Sequence, residues 1–441
     1  MIQHYRAHNL CAKKKYRVVR RYQFLSLLFS LLAGYAYGAG DNNSLSLSTA
    51  VERTLQQSPS LKVFQFRETA LIGRSATVKQ RPAFELDVEA ENFAGSGELK
   101  GVDSAEFVVA LSSVIEMGGK RSSRIGLVSQ ERLVLQAQMQ VESLALLGEV
   151  TRRYIDVLAA QEKLLLATEA AELASNTLSI VQKRAQAGAT PDAEVKRAKA
   201  ATAQARLARQ ASEQQLNYLR VSLSALWGER TPTFSVISGN LFYFGQDIAL
   251  DTLYAKVINN PSIHLFAAQA RLNEAAVRLA KTESSADISW SAGFKRSQES
   301  NDTALVAGFS MPLFSSKRTG GAISTALAEG AQIEVRREAA LINLHTQLYR
   351  AFYNRKQAVA TSTTLRNTII PALKQALHET ELAYQRGRYS YLEYVSARQE
   401  LLGARRAQIE AAAAALSYGA EIEELTAEPL STSFFVEKNN L

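Results

Sequence analysis

The chain has 441 residues, with 51 basic and 42 acidic side chains, a formal net charge of +9 and one cysteine. Seven of the basic residues (Arg6, Lys13, Lys14, Lys15, Arg17, Arg20 and Arg21) fall within residues 1–40, where there is no acid, so the remainder carries 44 basic against 42 acidic residues. Such a balanced remainder excludes nucleic acid as a partner, and Cys11, lying in that same leading stretch, excludes disulfides from everything after it.

In chain order, the basic stretch precedes a leucine-rich apolar run, Phe24 to Ala36, and then small residues up to Gly40. This is the order of a secretory signal peptide, expected over residues 1–40, with cleavage after Gly38 or Gly40. The run is too short for a transmembrane anchor, and no later stretch approaches about 18 apolar residues. Leu47 to Gln80 reads as a first helix capped by Ser48. Between about residues 84 and 93, Leu86, Val88 and Ala90 alternate with Glu85, Asp87, Glu89 and Glu91, the period of a strand. A second strand is expected over about 104–115, with Phe107, Val109 and Leu111 on one face and Glu106, Val108, Ala110 and Ser112 on the other.

From about Gly119 to Ala185 the sequence is helical for roughly 65 residues, or roughly 100 Å at 1.5 Å per residue. Val150, Val157, Leu164, Ala171 and Leu178 recur at coiled-coil spacing along it. The stretch Gln186-Ala187-Gly188-Ala189-Thr190-Pro191 breaks that helix, with Gly188 suited to the left-handed terminator and Thr190 expected as the next N-cap. A second, alanine-rich helix then runs to Leu226, and Trp227 to Gly245 forms a linker.

The second half repeats the first. Asp251 to Glu283 is helical, strands are expected over about 287–295 and 303–314, and a second hairpin tip lies at Gln385-Arg386-Gly387-Arg388-Tyr389-Ser390, with Ser390 as its cap. Ser58-Pro59 matches Asn260-Pro261 at an offset of 202, Leu111 matches Phe309 and Ile125 matches Ile323 at 198, and Gly188 matches Gly387 at 199. The expected organisation is therefore a first repeat over 41–245, a second over 246–428 and a short tail over 429–441. The four strands have the length that crosses a bilayer when tilted. They cannot close a barrel alone, because open edges would be unpaired in lipid.

This doubled order of elements, behind an export signal, resembles the TolC family of outer-membrane efflux proteins over essentially the whole mature chain. The Ser58-Pro59 and Asn260-Pro261 helix openings, the Gly188 and Gly387 tips with an acid six residues on, and Leu226-Trp227-Gly228 carry the resemblance. Ile115-Glu116-Met117-Gly118-Gly119-Lys120-Arg121, followed by Arg124, looks most like the CzcC branch, which exports heavy-metal cations in three-part RND systems. The resemblance implies a mainly α fold with a small β part. It implies a homotrimer whose chains each give four strands to one outer-membrane β-barrel and continue as an α-helical periplasmic barrel. Its implied partners are a periplasmic adaptor, an inner-membrane RND pump and outer-membrane lipid, with no cofactor. Gly188, Thr190, Gly387, Arg388 and Ser390 would meet the adaptor. Glu393 and Glu194 match acids that narrow the periplasmic end, and Tyr384 matches a tyrosine that bonds such an acid.

Catalysis has no support in the sequence. His264, His345 and His378, the histidines of the mature part, are isolated and lack metal-ligand spacing, and no phosphate loop or nucleophile motif occurs. With apolar strand faces toward lipid, Glu85, Asp87, Glu89, Glu91 and Glu106 would line a pore and favour cations. The function classes left open are a metal efflux outlet, the same channel serving drug efflux or protein secretion, and an exported coiled-coil scaffold.

Overall fold

The structure, a computed structural model, describes residues 44–314 and 319–429. The expected signal peptide and nearly all of the tail lie outside the described residues.

The helix expected over 47–80 is two helices, α1 (Leu47–Gln57) and α2 (Pro59–Val78), and that expected over 251–283 is α5 (Leu250–Val257) and α6 (Pro261–Thr282). The cause is the proline that opens α2 and α6. Its ring pushes the preceding residue out of the helical region, so Ser58 has ψ 128° and Asn260 ψ 133°. Ser46, not Ser48, caps α1, accepting the Thr49 N–H at 3.2 Å.

Strands β1 (Glu85–Glu91), β2 (Glu106–Ile115), β3 (Ile288–Ser297) and β4 (Thr303–Ser310) form one antiparallel sheet in that order. The register sorts the side chains. Leu86, Val88, Phe107, Val109, Leu111, Phe294, Leu305 and Phe309 share one face, because paired residues project to the same side. All eight are exposed, Leu305 at 80% and Phe309 at 85%, so this face meets something other than its own chain. The two edge strands, β1 and β4, are unpaired on their outer sides within the described residues.

Between β2 and α3 (Lys120–Gln186) the chain turns on Gly118 and Gly119, with φ +68° and +76°. A Cβ on Gly118 would lie 2.1 Å from the Ser285 hydroxyl, so this turn packs directly on the segment that leads from α6 into β3 in the second repeat. Helix α3 has 67 residues and runs antiparallel to α4 (Asp192–Ser224) as a hairpin. The second hairpin is α7 (Gly320–Thr364) with α8 (Ile370–Gln385) against α9 (Tyr391–Thr426). A π-turn, Leu365–Ile369, joins α7 to α8 just before Pro371. Pro371 has no N–H to continue the α ladder, which accounts for the wider turn at this place.

The main core gathers at the middle of α3, where Val150, Tyr154, Val157 and Leu158 pack with Leu223 and Trp227 of the first repeat and Leu416 of the second. Each such aliphatic side chain contributes roughly 1.5–3 kcal/mol by leaving water. Tyr154 donates its hydroxyl proton to the Leu45 and Ser238 carbonyls, which ties the N-terminal segment and the inter-repeat linker to α3. Asn260 accepts the Ser262 N–H at 2.9 Å and donates to the Glu424 and Leu425 carbonyls at 3.0 Å, closing the end of α9. The duplicated halves are thus one packed body.

Candidate functional site at the paired hairpin tips

Both tips are built the same way. Gly188 and Gly387 have φ +71° and +76°. Gly188 N–H bonds the Ala185 carbonyl and Ala189 N–H the Arg184 carbonyl; Gly387 and Arg388 do likewise with Tyr384 and Ala383, all at 2.9 Å. This double bond is the Schellman arrangement that ends a helix on a left-handed glycine.

The following caps differ. Ser390 caps α9, accepting the Glu393 N–H at 3.3 Å while the Glu393 carboxylate accepts the Ser390 N–H at 2.7 Å and its hydroxyl at 2.8 Å. This is a complete capping box. The Ser390 backbone N–H, then its hydroxyl, hold the Glu393 carboxyl below the usual glutamate value. The first tip lacks this box: Pro191, not Thr190, occupies the N-cap position of α4. Thr190 instead donates its hydroxyl to the Glu194 carboxylate. Pro191 has ψ 149°, an extended conformation, so the helix begins at Asp192.

Glu194 is also reached from the other hairpin. Tyr384 donates its hydroxyl to Glu194 Oε2 at 3.4 Å. The Tyr384 ring is 1% exposed and lies parallel to Tyr394, with centroids 5.5 Å apart, while Tyr391 meets it edge-on. Burial, and after it the charge of Glu194, push the Tyr384 hydroxyl above the ordinary tyrosine range. So of the residues named from sequence, Tyr384, Glu194 and Thr190 come together, whereas Glu393 turns back on its own cap.

Two further residues were not legible in the sequence. Arg184 crosses from α3 to the second tip. Arg398, 7% exposed, donates to the Thr177 hydroxyl at 3.1 Å just behind Tyr394. The only sequence signal was basic residues in the last turn of α3, which suit any helix C-terminus.

At the far end, the register places Glu85, Asp87, Glu89 and Glu91 on the same sheet face as Val108, Ala110, Ser112 and Glu106. Lys295 shares that face and pairs with Glu106 at 2.6 Å. Opposite faces of one sheet are thus acidic and apolar. No group of His, Cys, Asp or Glu poised to hold a metal occurs among the described residues.

A sheet with one apolar and one acidic face, two open edges and long helical hairpins beneath it is a segment of a channel wall. The chain belongs to the outer membrane efflux protein family, whose model matches residues 50–229 and 253–428. It is similar to the cobalt-zinc-cadmium resistance protein CzcC of Cupriavidus metallidurans, 28% identical over 291 residues, 66% of this chain and 70% of that protein. It is also similar to the nickel-cobalt-cadmium resistance protein NccC of Alcaligenes xylosoxydans xylosoxydans, 23% identical over 66% of this chain and 67% of that one. In fold it matches the solved structure of CusC with a TM-score of 0.68 at 16% identity, over 89% of this chain and 94% of that chain. The protein is an efflux channel of the outer membrane that extends into the periplasm.

Proposed function

We propose that this chain is the outer-membrane outlet of a three-part RND efflux system, that it works as a homotrimer, and that its cargo is heavy-metal cations. The observation that carries the reading is the acidic sheet face: four carboxylates of β1 project from one side with Lys295 pairing only Glu106. Three copies would close the open edges into a twelve-stranded barrel, a size within the range of single-barrel channels. Their acidic faces would line its lumen and concentrate cations. The apolar faces would meet lipid. Two relatives named for resistance to cobalt and cadmium agree with this cargo. The tips, with Gly188, Thr190, Gly387, Arg388 and Ser390 at their ends, would meet a periplasmic adaptor coupled to the inner-membrane pump. Energy for transport would come from that pump.

Deleting the gene and challenging the cells with cobalt, zinc, cadmium and nickel, and separately with hydrophobic drugs, tests this reading. Sensitivity to the metals, restored by the intact gene, is the expected result. Loss of drug or dye resistance alone would overturn the cargo and leave the channel.

A further inference from the structure

Arg184 lies in the last turn of α3 and donates Nη1 to the Tyr384 carbonyl and, at 3.1 Å, to the Gln385 carbonyl. These are the last two residues of α8. Its Nη2 reaches the Ala189 carbonyl of its own tip at 3.3 Å. Its guanidinium carbon stands 4.6 Å from the centroid of the Tyr384 ring. One cation therefore meets the negative ends of two helix dipoles, the exposed carbonyls that end them and an aromatic face.

The duplication makes this contact directional. The residue four before Gly188 is Arg184, but four before Gly387 it is Ala383; three before Gly387 is Tyr384, but three before Gly188 it is Ala185. The first hairpin alone supplies the guanidinium at this position and the second alone supplies the aromatic ring. The acids at the matching positions have diverged in step: Glu194 receives Tyr384, while Glu393 closes its own cap.

We propose that Arg184 is the positioning residue that holds the two hairpin tips of one chain at a fixed spacing and so presents Tyr384 to Glu194. The planar fork of the guanidinium is required, because two carbonyls of one tip and one of the other lie in different directions. A lysine ammonium has the charge without the fork. This rests on the reading of the tips as the periplasmic end of a channel, yet the contact itself is a matter of distance and can be measured without transport.

The test uses the assembled channel in detergent, with spin labels at Gln186→Cys and Tyr389→Cys in a Cys11→Ser background. Both label positions are exposed. Labelled chains are diluted with unlabelled ones so that an assembly holds one labelled chain. Pulsed electron resonance should give one narrow inter-tip distance for the parent. In Arg184→Ala and Arg184→Lys that distribution should widen and move outward, and single-channel conductance should rise. Tyr384→Phe, which keeps both carbonyls and the ring, should keep the parental distance while losing the bond to Glu194. An unchanged distribution in Arg184→Ala overturns the proposal. If that variant does not assemble, Arg184→Lys decides, and a parental distance there overturns it equally. Loss of the metal phenotype bears on the efflux reading alone, since the distance is read from purified protein.

Discussion

The Lys120 ammonium lies 2.7 Å from the Asp287 carboxylate, and the other oxygen of that carboxylate accepts the Met117 N–H at 3.0 Å. The first repeat is thereby fastened to the second where sheet gives way to helix. The two partners are unequally wet, with side-chain exposures of 8% for Lys120 and 29% for Asp287. Removing each should cost differently. Asp287→Ala leaves a buried ammonium with only Glu283, at 3.8 Å, for company. It should destabilise the protein by about 2–3 kcal/mol, below the full cost for a wholly buried pair. Lys120→Met fills the same space without charge and should cost less than about 1 kcal/mol. Adding Lys120→Met to Asp287→Ala should restore most of the loss. Denaturant midpoints of the detergent-solubilised protein check all three.

At the tips, Tyr384→Phe with Glu194→Gln removes the hydroxyl and the charge that meet between the hairpins. The double variant should show a larger single-channel current in planar bilayers than the parent. Currents equal to the parent's would place the constriction elsewhere.

Glu393 predicts a pH dependence with a definite sign. Its folded pKa is depressed by the Ser390 N–H and hydroxyl. A depressed carboxylate stabilises the cap fully above its unfolded value, and that stability is lost as pH falls through the folded value. Amide exchange at Tyr391 to Tyr394, corrected for intrinsic rate, should show protection constant from neutral down to pH ~5 and falling below ~4, the unfolded glutamate range. Glu393→Gln should lack the transition. In the assembled channel it should also weaken block by multivalent cations added from the periplasmic side, as expected if three copies line the constriction.

The acidic sheet face predicts selectivity, and the Lys295–Glu106 pair sets the order of effects. Changing Glu85, Asp87, Glu89 and Glu91 to their amides should shift the reversal potential in a salt gradient toward that of an unselective pore. Glu106→Gln should shift it less, because Lys295 already offsets that charge at 2.6 Å. Lys295→Met should move it the other way, toward stronger cation preference. An anion-selective parent would refute the lumen assignment.

Periodicity sufficed for much of this fold. Alternation of Leu86, Val88 and Ala90 with acids marked β1, and the glycine-centred breaks marked both tips. What it missed is instructive. Ser58-Pro59 was read as a landmark but not as a helix break, although proline disfavours the helical region for the residue before it. Thr190 reads as a cap by residue type, whereas Pro191 itself is extended and occupies the cap position. Ile115 to Arg121 with Arg124 reads as the mark of a CzcC-like branch, and the similarity to CzcC bears that resemblance out. What the sequence did not show is the structural part these residues play: Gly118 packs on Ser285 and Lys120 binds Asp287 across the repeats, while Arg124 binds Glu116 of its own repeat at 2.6 Å. Arg184 was invisible because its partners are main-chain carbonyls of a segment 200 residues away, and a carbonyl leaves no trace in the residue type.

The π-turn at Leu365–Ile369 has a counterpart in the arithmetic of the two repeats. Ile125 to Gly188 spans 63 residues, and Ile323 to Gly387 spans 64. The second copy is one residue longer over this span, along a helix that must still deliver its tip in phase. Within an unbroken α-helix that extra residue would rotate everything beyond it by about 100°, turning the buried Tyr384 toward water. A turn closed by i→i+5 bonds takes up one more residue per turn than an α-turn does. The extra residue is absorbed there, next to Pro371, and the helix beyond it keeps its face. A one-residue difference that should have scrambled the second tip is accommodated as a local swelling of the helix about 20 residues above it.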